Sequence, residues 1–336
     1  MAQRLSCISL QINNWRSIFL GLLAFLVVVV SGSACTPNAN TQANPDAECR
    51  VIQHVMGETC VPINPQRIVV LGGLDYALSL GIKPIGSDGV SREFYLQEFA
   101  DGIEEVGGNN APSLEKILAL KPDFILGGDY VNSNYNALSQ IAPTVIIAYD
   151  HSGEWKNFFM RYAEVLGKTA EAEQVMVRYY QRLEDFQQQM GTRATEIDVS
   201  IVRVYPTHVN LYLKDSFCGT VVADAGLSRP PSQDFMASEA QRLFSNPIQY
   251  EVSREKIPEI NGDVIFLWTY GHQEEIAQQA QAEKDKLKAD PLWSTLSAVQ
   301  QGRVYEVPGY WIGDGPIAAN AVIDDLFKYL VETPQS

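Results

Sequence analysis

The chain alternates short β-branched runs with helical stretches except in one place, and that interruption limits the possible folds more than any other feature. Over residues 155–190, WKNFFMRYAEVLGKTAEAEQVMVRYYQRLEDFQQQM, the spacing of apolar residues is helical and no strand signal occurs. Residues 170–190 contain neither Gly nor Pro, which predicts a helix roughly 30 Å long at 1.5 Å per residue. A helix of that length between two alternating halves reads as a strut.

On its N-terminal side, RIVVL, PIGS, EEVGG, DFILGG and TVIIA read as strands. GLDYALSLG, SLEKILAL and LSQIA read as helices or helical turns between them. After Gly191 the alternation resumes with DVSIVRVY, VNLYL, DVIFLW and RVYEV as strands, and SFCGTVVADAGL and ANAVIDDLFKYL as helices. Such alternation predicts mainly parallel sheets with helices on their faces. LGKTA within the helical stretch is no phosphate loop, because that loop needs a Gly where Tyr162 stands. Gly167 reads as a helix break.

One phrase occurs twice. SLEKILALKPDFIL starts at Ser113 and SREKIPEINGDVIFL at Ser253, and in each an Asp (Asp123, Asp263) follows ten residues after the Ser and opens an apolar run. The shared spacing marks corresponding helix–strand units of two similar lobes. The alternative is good helix-start chemistry met twice by chance.

The first 34 residues read as a signal peptide: basic Arg4 and Arg16, then a 13-residue apolar run at 18–30, too short for the roughly 20 residues of a membrane span. SGSAC places small residues before Cys35 and predicts a lipidated cysteine, although Gly32 and Ala34 equally suit ordinary cleavage after Ala34. Residues 35–48 follow as a polar tether. Export makes a Cys49–Cys60 disulfide possible, yet a turn at Met56-Gly57 would put Cys60 opposite Gln53 and not Cys49; the pairing stays open. Cys218 reads as a small buried residue. The remaining boundaries are an N-terminal α/β lobe at 49–153, a helical segment at 154–191 and a C-terminal lobe at 192–336. A net charge of −15 without a basic cluster excludes nucleic acid as a partner.

NPQRIVVL with LSLGIKPIG, then VGGNNAPSLEKILALKPDFIL, LSQIAPTV, VLGKTAEAEQ, SFCGTVVADAGL and DPLWSTLSAVQQGRVYEVPGYW follow one another in an order and spacing that resemble one family. It is the substrate-binding proteins of bacterial ABC importers for iron–siderophore complexes, whose fold also serves cobalamin. The resemblance implies two Rossmann-like lobes bridged by one long α-helix, with the ligand cleft between them. It also implies a periplasmic monomer, held at the membrane by a lipid on Cys35, or soluble there without it. The partner would be the inner-membrane ABC permease, with no cofactor and no metal held directly, since the siderophore holds the iron. In that family one surface glutamate per lobe pairs with permease arginines, and Glu115 and Glu255 occupy the matching places in the two repeated phrases. The bland reading is a first-turn Glu favoured by the helix dipole.

Ligands of open α/β sheets bind beyond the carboxyl ends of strands. That criterion selects Arg92, Asn109, Asn110 and Tyr130 in the first lobe, and Arg203, Tyr205, Trp268, Tyr270, Tyr310 and Trp311 in the second. Arginine offers a planar donor fork to the anionic oxygens around ferric iron, and Tyr and Trp grip a bulky ligand at small rotamer cost. Tyr130 and Trp311 match ligand-contacting places of hydroxamate-binding relatives, Arg203 matches an Arg common at the cleft end of its strand, and Asn109 stands where that pattern can carry Arg. The resemblance therefore favours a hydroxamate or hydroxamate–citrate chelate, with haem or cobalamin as the alternative cargo. Each residue taken alone is more simply packing or a solvated surface group. An enzyme is not indicated: no nucleophile elbow, phosphate loop or two-His metal motif occurs. A zinc or manganese importer would need the four scattered histidines to converge with carboxylates.

Overall fold

The computed structural model describes residues 49–332 apart from 109, 110, 270 and 272; the signal segment, Cys35 and the tether lie outside the described residues. Among the described residues no helix is long and apolar enough to cross a membrane.

The chain enters through an antiparallel hairpin of β1 (Cys49–His54) and β2 (Gly57–Pro62). Its turn is Val55-Met56, one residue earlier than the sequence reading placed it, so Cys60 lies opposite Val51 and not Gln53. That shift makes Cys49 and Cys60 diagonal neighbours, 5.5 Å apart at Cα, and they are disulfide-bonded.

The first lobe runs β3 (Ile68–Leu71), α1 (Leu74–Ser79), β4 (Gly86–Ser87), β5 (Glu104–Glu105), the small pair β6 (Gly107–Gly108) and β7 (Ala111–Pro112), α2 (Leu114–Leu120), β8 (Phe124–Gly128), α3 (Tyr135–Ile141) and β9 (Thr144–Ile147). Its sheet is wholly parallel in the order β5-β4-β3-β8-β9. Ile68 and Val70 face one core while Val69 and Leu71 face another, as expected of a strand buried on both sides. The hairpin covers the β9 edge, where Thr59 donates its hydroxyl to the Thr144 carbonyl at 2.9 Å, and so shields an otherwise unpaired strand.

Helices α4 (Trp155–Leu166) and α5 (Thr169–Met190) follow, broken at Gly167, which adopts φ +68°. The α5 stripe explains how one helix joins two lobes. Ala172 packs in the core of the first lobe, and Tyr179, Leu183, Phe186 and Met190 in that of the second, at alternating steps of three and four.

The second lobe runs β10 (Val199–Val204), β11 (Val209–Tyr212), α6 (Phe217–Asp224), α7 (Ala237–Phe244), β12 (Gln249–Val252), β13 (Val264–Thr269), α8 (Glu274–Ala289), α9 (Ser297–Gln300), β14 (Val304–Glu306) and α10 (Pro316–Leu326). The sheet order is β12-β11-β10-β13-β14; β10, β13 and β14 are parallel, while β11 and β12 form an antiparallel extension. The repeated phrases occupy corresponding places. Asp123 accepts from the Gln66 and Arg67 amides at 2.7 and 2.9 Å, and its own N–H donates to the Arg67 carbonyl. Asp263 accepts from the Asp198 amide at 2.9 Å and returns its N–H to the Asp198 carbonyl. Each Asp thus pins the start of the neighbouring strand. Ser113 caps α2, accepting from the Lys116 amide at 3.4 Å, whereas the second copy opens a 3-10 turn, Arg254–Ile260, that carries Pro258 inside it.

Candidate functional site

β3 ends in Gly72-Gly73, with φ of +84° and +82°. The turn brings the Gly72 amide onto the Asp88 carboxylate at 2.8 Å, just beyond β4. Tyr130, in the 3-10 turn after β8, donates its hydroxyl to the same carboxylate at 2.6 Å. Its ring lies so close over Gly72 that a Cβ there would come within 2.8 Å of the phenol oxygen. Burial raises the Asp88 pKa, and the Tyr130 and Gly72 donors oppose that rise.

Arg92 stands further along the same wall and pairs with the buried Glu93 at 2.9 Å. Burial first, then the negative charge of Asp314, pushes Glu93 up to about 8, with Arg92 pulling the other way. Below them a carboxylate of the first lobe caps a helix of the second. Asp75 accepts from the Ile317 and Ala318 amides at 2.9 and 3.0 Å, taking the cap place that Gly315 leaves empty. Burial raises Asp75 to about 7.

Ser91, Arg92 and Phe94 face Thr269, Ala277 and Pro308 of the second lobe across a cleft of about 390 Å³. Arg203 lies on the strand beside the one that ends at Thr269. Arg203 is 8% exposed, donates to the Tyr212 hydroxyl at 2.9 Å and lays its guanidinium on the Tyr205 ring at 4.1 Å. Arg92 thus lines the cleft, while Tyr130, Arg203 and Tyr205 lie at or just after the ends of their strands. Asn109 and Tyr270 lie outside the described residues.

The other three aromatic candidates need correction. Trp311 is 0% exposed, stacks on Phe266 at 4.5 Å and donates its indole N–H to Asp325 at 2.8 Å. It is a core residue with no face for a ligand. Trp268, 1% exposed, packs edge-on against Tyr212 in the same core. Tyr310 donates to the same Asp325 oxygen at 2.8 Å and lines a different hollow, against α5 and α10. The 3-10 turn Gly309–Ile312 and the Asp325 carboxylate together draw both 310 and 311 away from the cleft. The sequence reading missed Asp88, although an acid directly after a strand end was visible in GSDGV, and it missed Glu93, which opens the 3-10 turn Phe94–Leu96. It also missed Tyr212 and Gln249, which only the antiparallel register brings beside Arg203.

Glu115 and Glu255 are both exposed in the first turns of their segments. The Glu255 carboxylate is held below its usual range by its own backbone amide and by Ser253. Among the described residues no three His, Cys, Asp or Glu side chains are placed to hold a metal ion.

A family model described as periplasmic binding protein matches residues 72–310. A Bacillus subtilis protein named as a probable siderophore-binding lipoprotein is 32% identical over 93% of this chain and 98% of its own length. An achromobactin-binding periplasmic protein of Dickeya dadantii is 29% identical over 79% of this chain and 86% of its own. Among solved structures, Staphylococcus aureus SirA complexed with staphyloferrin B superposes with a TM-score of 0.72 at 27% identity, covering 84% of this chain and 98% of that one. The two lobes, the helix that bridges them and these matches lead to one conclusion: the chain belongs to the periplasmic binding protein family, and it is a substrate-binding protein and not an enzyme.

Proposed function

We propose that this protein captures a ferric siderophore between its lobes and hands it to an inner-membrane ABC permease. The observation that carries the reading is an arginine in each lobe: Arg92, which lines the cleft and pairs with the buried Glu93, and Arg203, held by Tyr212 and Tyr205 on the strand beside the one whose end lines that cleft. Such donors match the anionic oxygens of a ferric chelate, and Tyr130 and Tyr205 offer flat faces to its body. Asn109 and Tyr270 complete the proposed set. The names of the relatives, which speak of a siderophore, achromobactin and staphyloferrin B, support this class of cargo.

Among ferric chelates this reading favours the hydroxamate or hydroxamate–citrate class, on the resemblance of Tyr130 to a ligand-contacting place of hydroxamate-binding proteins. Delivery would use Glu115 and Glu255, one on each lobe, as two registration points on a two-fold permease. Signal cleavage, lipid on Cys35 and the 35–48 tether would hold a monomer at the periplasmic membrane surface.

The test is the affinity of Arg203→Ala for a ferric dihydroxamate–citrate chelate, measured alongside its unfolding curve. We expect binding about tenfold or more weaker, the loss of a charged hydrogen-bond donor, with folding intact. Unchanged affinity in the folded variant would overturn the assignment.

A further inference from the structure

The second lobe differs from the first by its antiparallel extension, β11 and β12, and that extension carries polar side chains on the face where Arg203 emerges. Arg203 and Asn210 are cross-strand partners, as are Tyr212 and Gln249. The bonds run in one chain outward from the arginine. Its Nη1 donates to the Tyr212 hydroxyl at 2.9 Å, and the Tyr212 and Tyr205 hydroxyls are 3.3 Å apart. Tyr205 then donates to Gln249 Oε1 at 3.0 Å, and Asn210 Nδ2 donates to the same oxygen at 3.0 Å. The Tyr205 ring closes the loop by lying under the guanidinium at 4.1 Å. His208 stacks on Tyr205 at 4.4 Å.

We infer that Gln249 is a positioning residue for ligand capture: it fixes the Tyr205 ring, and through that ring the orientation of the Arg203 guanidinium. An arginine side chain has many rotamers, so a donor fork held before the ligand arrives saves ordering cost on binding. Gln249 sits two strands away from Arg203, and its single carbonyl oxygen takes the bonds of two side chains. Replacing it with an apolar residue leaves the Tyr205 hydroxyl and the Asn210 amide without that acceptor, and the ring under Arg203 is released. The inference deepens the siderophore reading and rests on it for the identity of the ligand, but the geometry of Arg203 can be read without any ligand.

Three variants test it: Gln249→Leu, Gln249→Glu and Gln249→Leu with Arg203→Ala. The first readout is the guanidinium proton–nitrogen spectrum of the free protein, with the Arg203 signal identified by its loss in Arg203→Ala. In the wild type that signal should carry the ring-current shift of Tyr205; Gln249→Leu should abolish the shift, and Gln249→Glu, which still accepts both bonds, should keep it. The second readout is affinity for a ferric dihydroxamate–citrate chelate. Gln249→Leu should bind about tenfold more weakly, Gln249→Glu close to the wild type, and the double variant no worse than Arg203→Ala alone, because the two residues act through one contact. An Arg203 signal unmoved in Gln249→Leu, or losses that simply multiply in the double variant, would overturn the inference. A wild type that binds no ferric chelate would remove the siderophore reading, and the Arg203 signal would still decide the positioning role.

Discussion

Gly72 is where backbone and ligand wall meet. Its φ of +84° strains any other residue, and an added Cβ would strike the Tyr130 hydroxyl. Gly72→Ala should therefore cost about 1–3 kcal/mol of stability and swing Tyr130 off Asp88, with weaker capture of the ferric chelate. Denaturant unfolding and a ligand titration of the same variant check both parts; wild-type values in both would contradict this view of the turn. The buried acids make a second prediction. Asp75 rises from an ordinary 3.8 to about 7, and Glu93 from 4.5 to about 8, burial being the main cause in each. Both bind a proton more tightly folded than unfolded, so the stability they contribute is complete below the unfolded values and is lost as pH climbs through 7 and then 8. Unfolding free energies measured between about pH 5 and about pH 8 should fall more steeply for the wild type than for Asp75→Asn with Glu93→Gln. Parallel profiles would contradict the assignment. At this scale the sequence was legible in part. Arg92 lines the cleft, and Tyr130, Arg203 and Tyr205 lie at or just after strand ends. Tyr310 and Trp311 also follow a strand, but the direction of a ring depends on Asp325, 15 and 14 residues later, and on a tight turn that no local pattern announces.

Among the elements, the entry hairpin shows how small a change in turn position matters. Moving the turn by one residue slides the register by two, and with it the two cysteines become bonded neighbours. The closed loop spans 11 residues of sequence separation, so Cys60→Ser should destabilise the chain by roughly 2–3 kcal/mol, measured against the oxidised wild type. A loss within error would mean that the contacts with β9 hold the hairpin unaided. The repeated phrase was a truer guide, because its Asp does the same work in both lobes, pinning a neighbouring strand start. Its helices diverge for a visible reason: Pro258 removes an amide donor in the second copy, which settles into a 3-10 turn, while α2 has no such break.

For the whole molecule, the architecture was legible because hydrophobic periodicity is a local property, and the strandless stretch left one place for a bridging helix. The cleft was less so, since it is assembled from loops more than 170 residues apart, Arg92 facing Thr269 and Pro308. The antiparallel extension of the second lobe went unread for the same reason: VNLYL has a strand signal, but nothing local states which way it runs. If Glu115 and Glu255 register the lobes on a permease, Glu115→Ala with Glu255→Ala should bind the chelate like the wild type yet restore little uptake in cells lacking the natural protein. Normal uptake would remove the docking role.

The most direct measurement is a tryptophan-fluorescence titration of the tether-free protein with a ferric tris-hydroxamate, a ferric dihydroxamate–citrate, a ferric tris-catecholate, haem and cobalamin, each chelate paired with its iron-free form. Saturable submicromolar binding of a hydroxamate-bearing ferric chelate, with little response to the iron-free form or the catecholate, is the expected result. Binding of haem or cobalamin alone would leave the family standing and contradict the cargo.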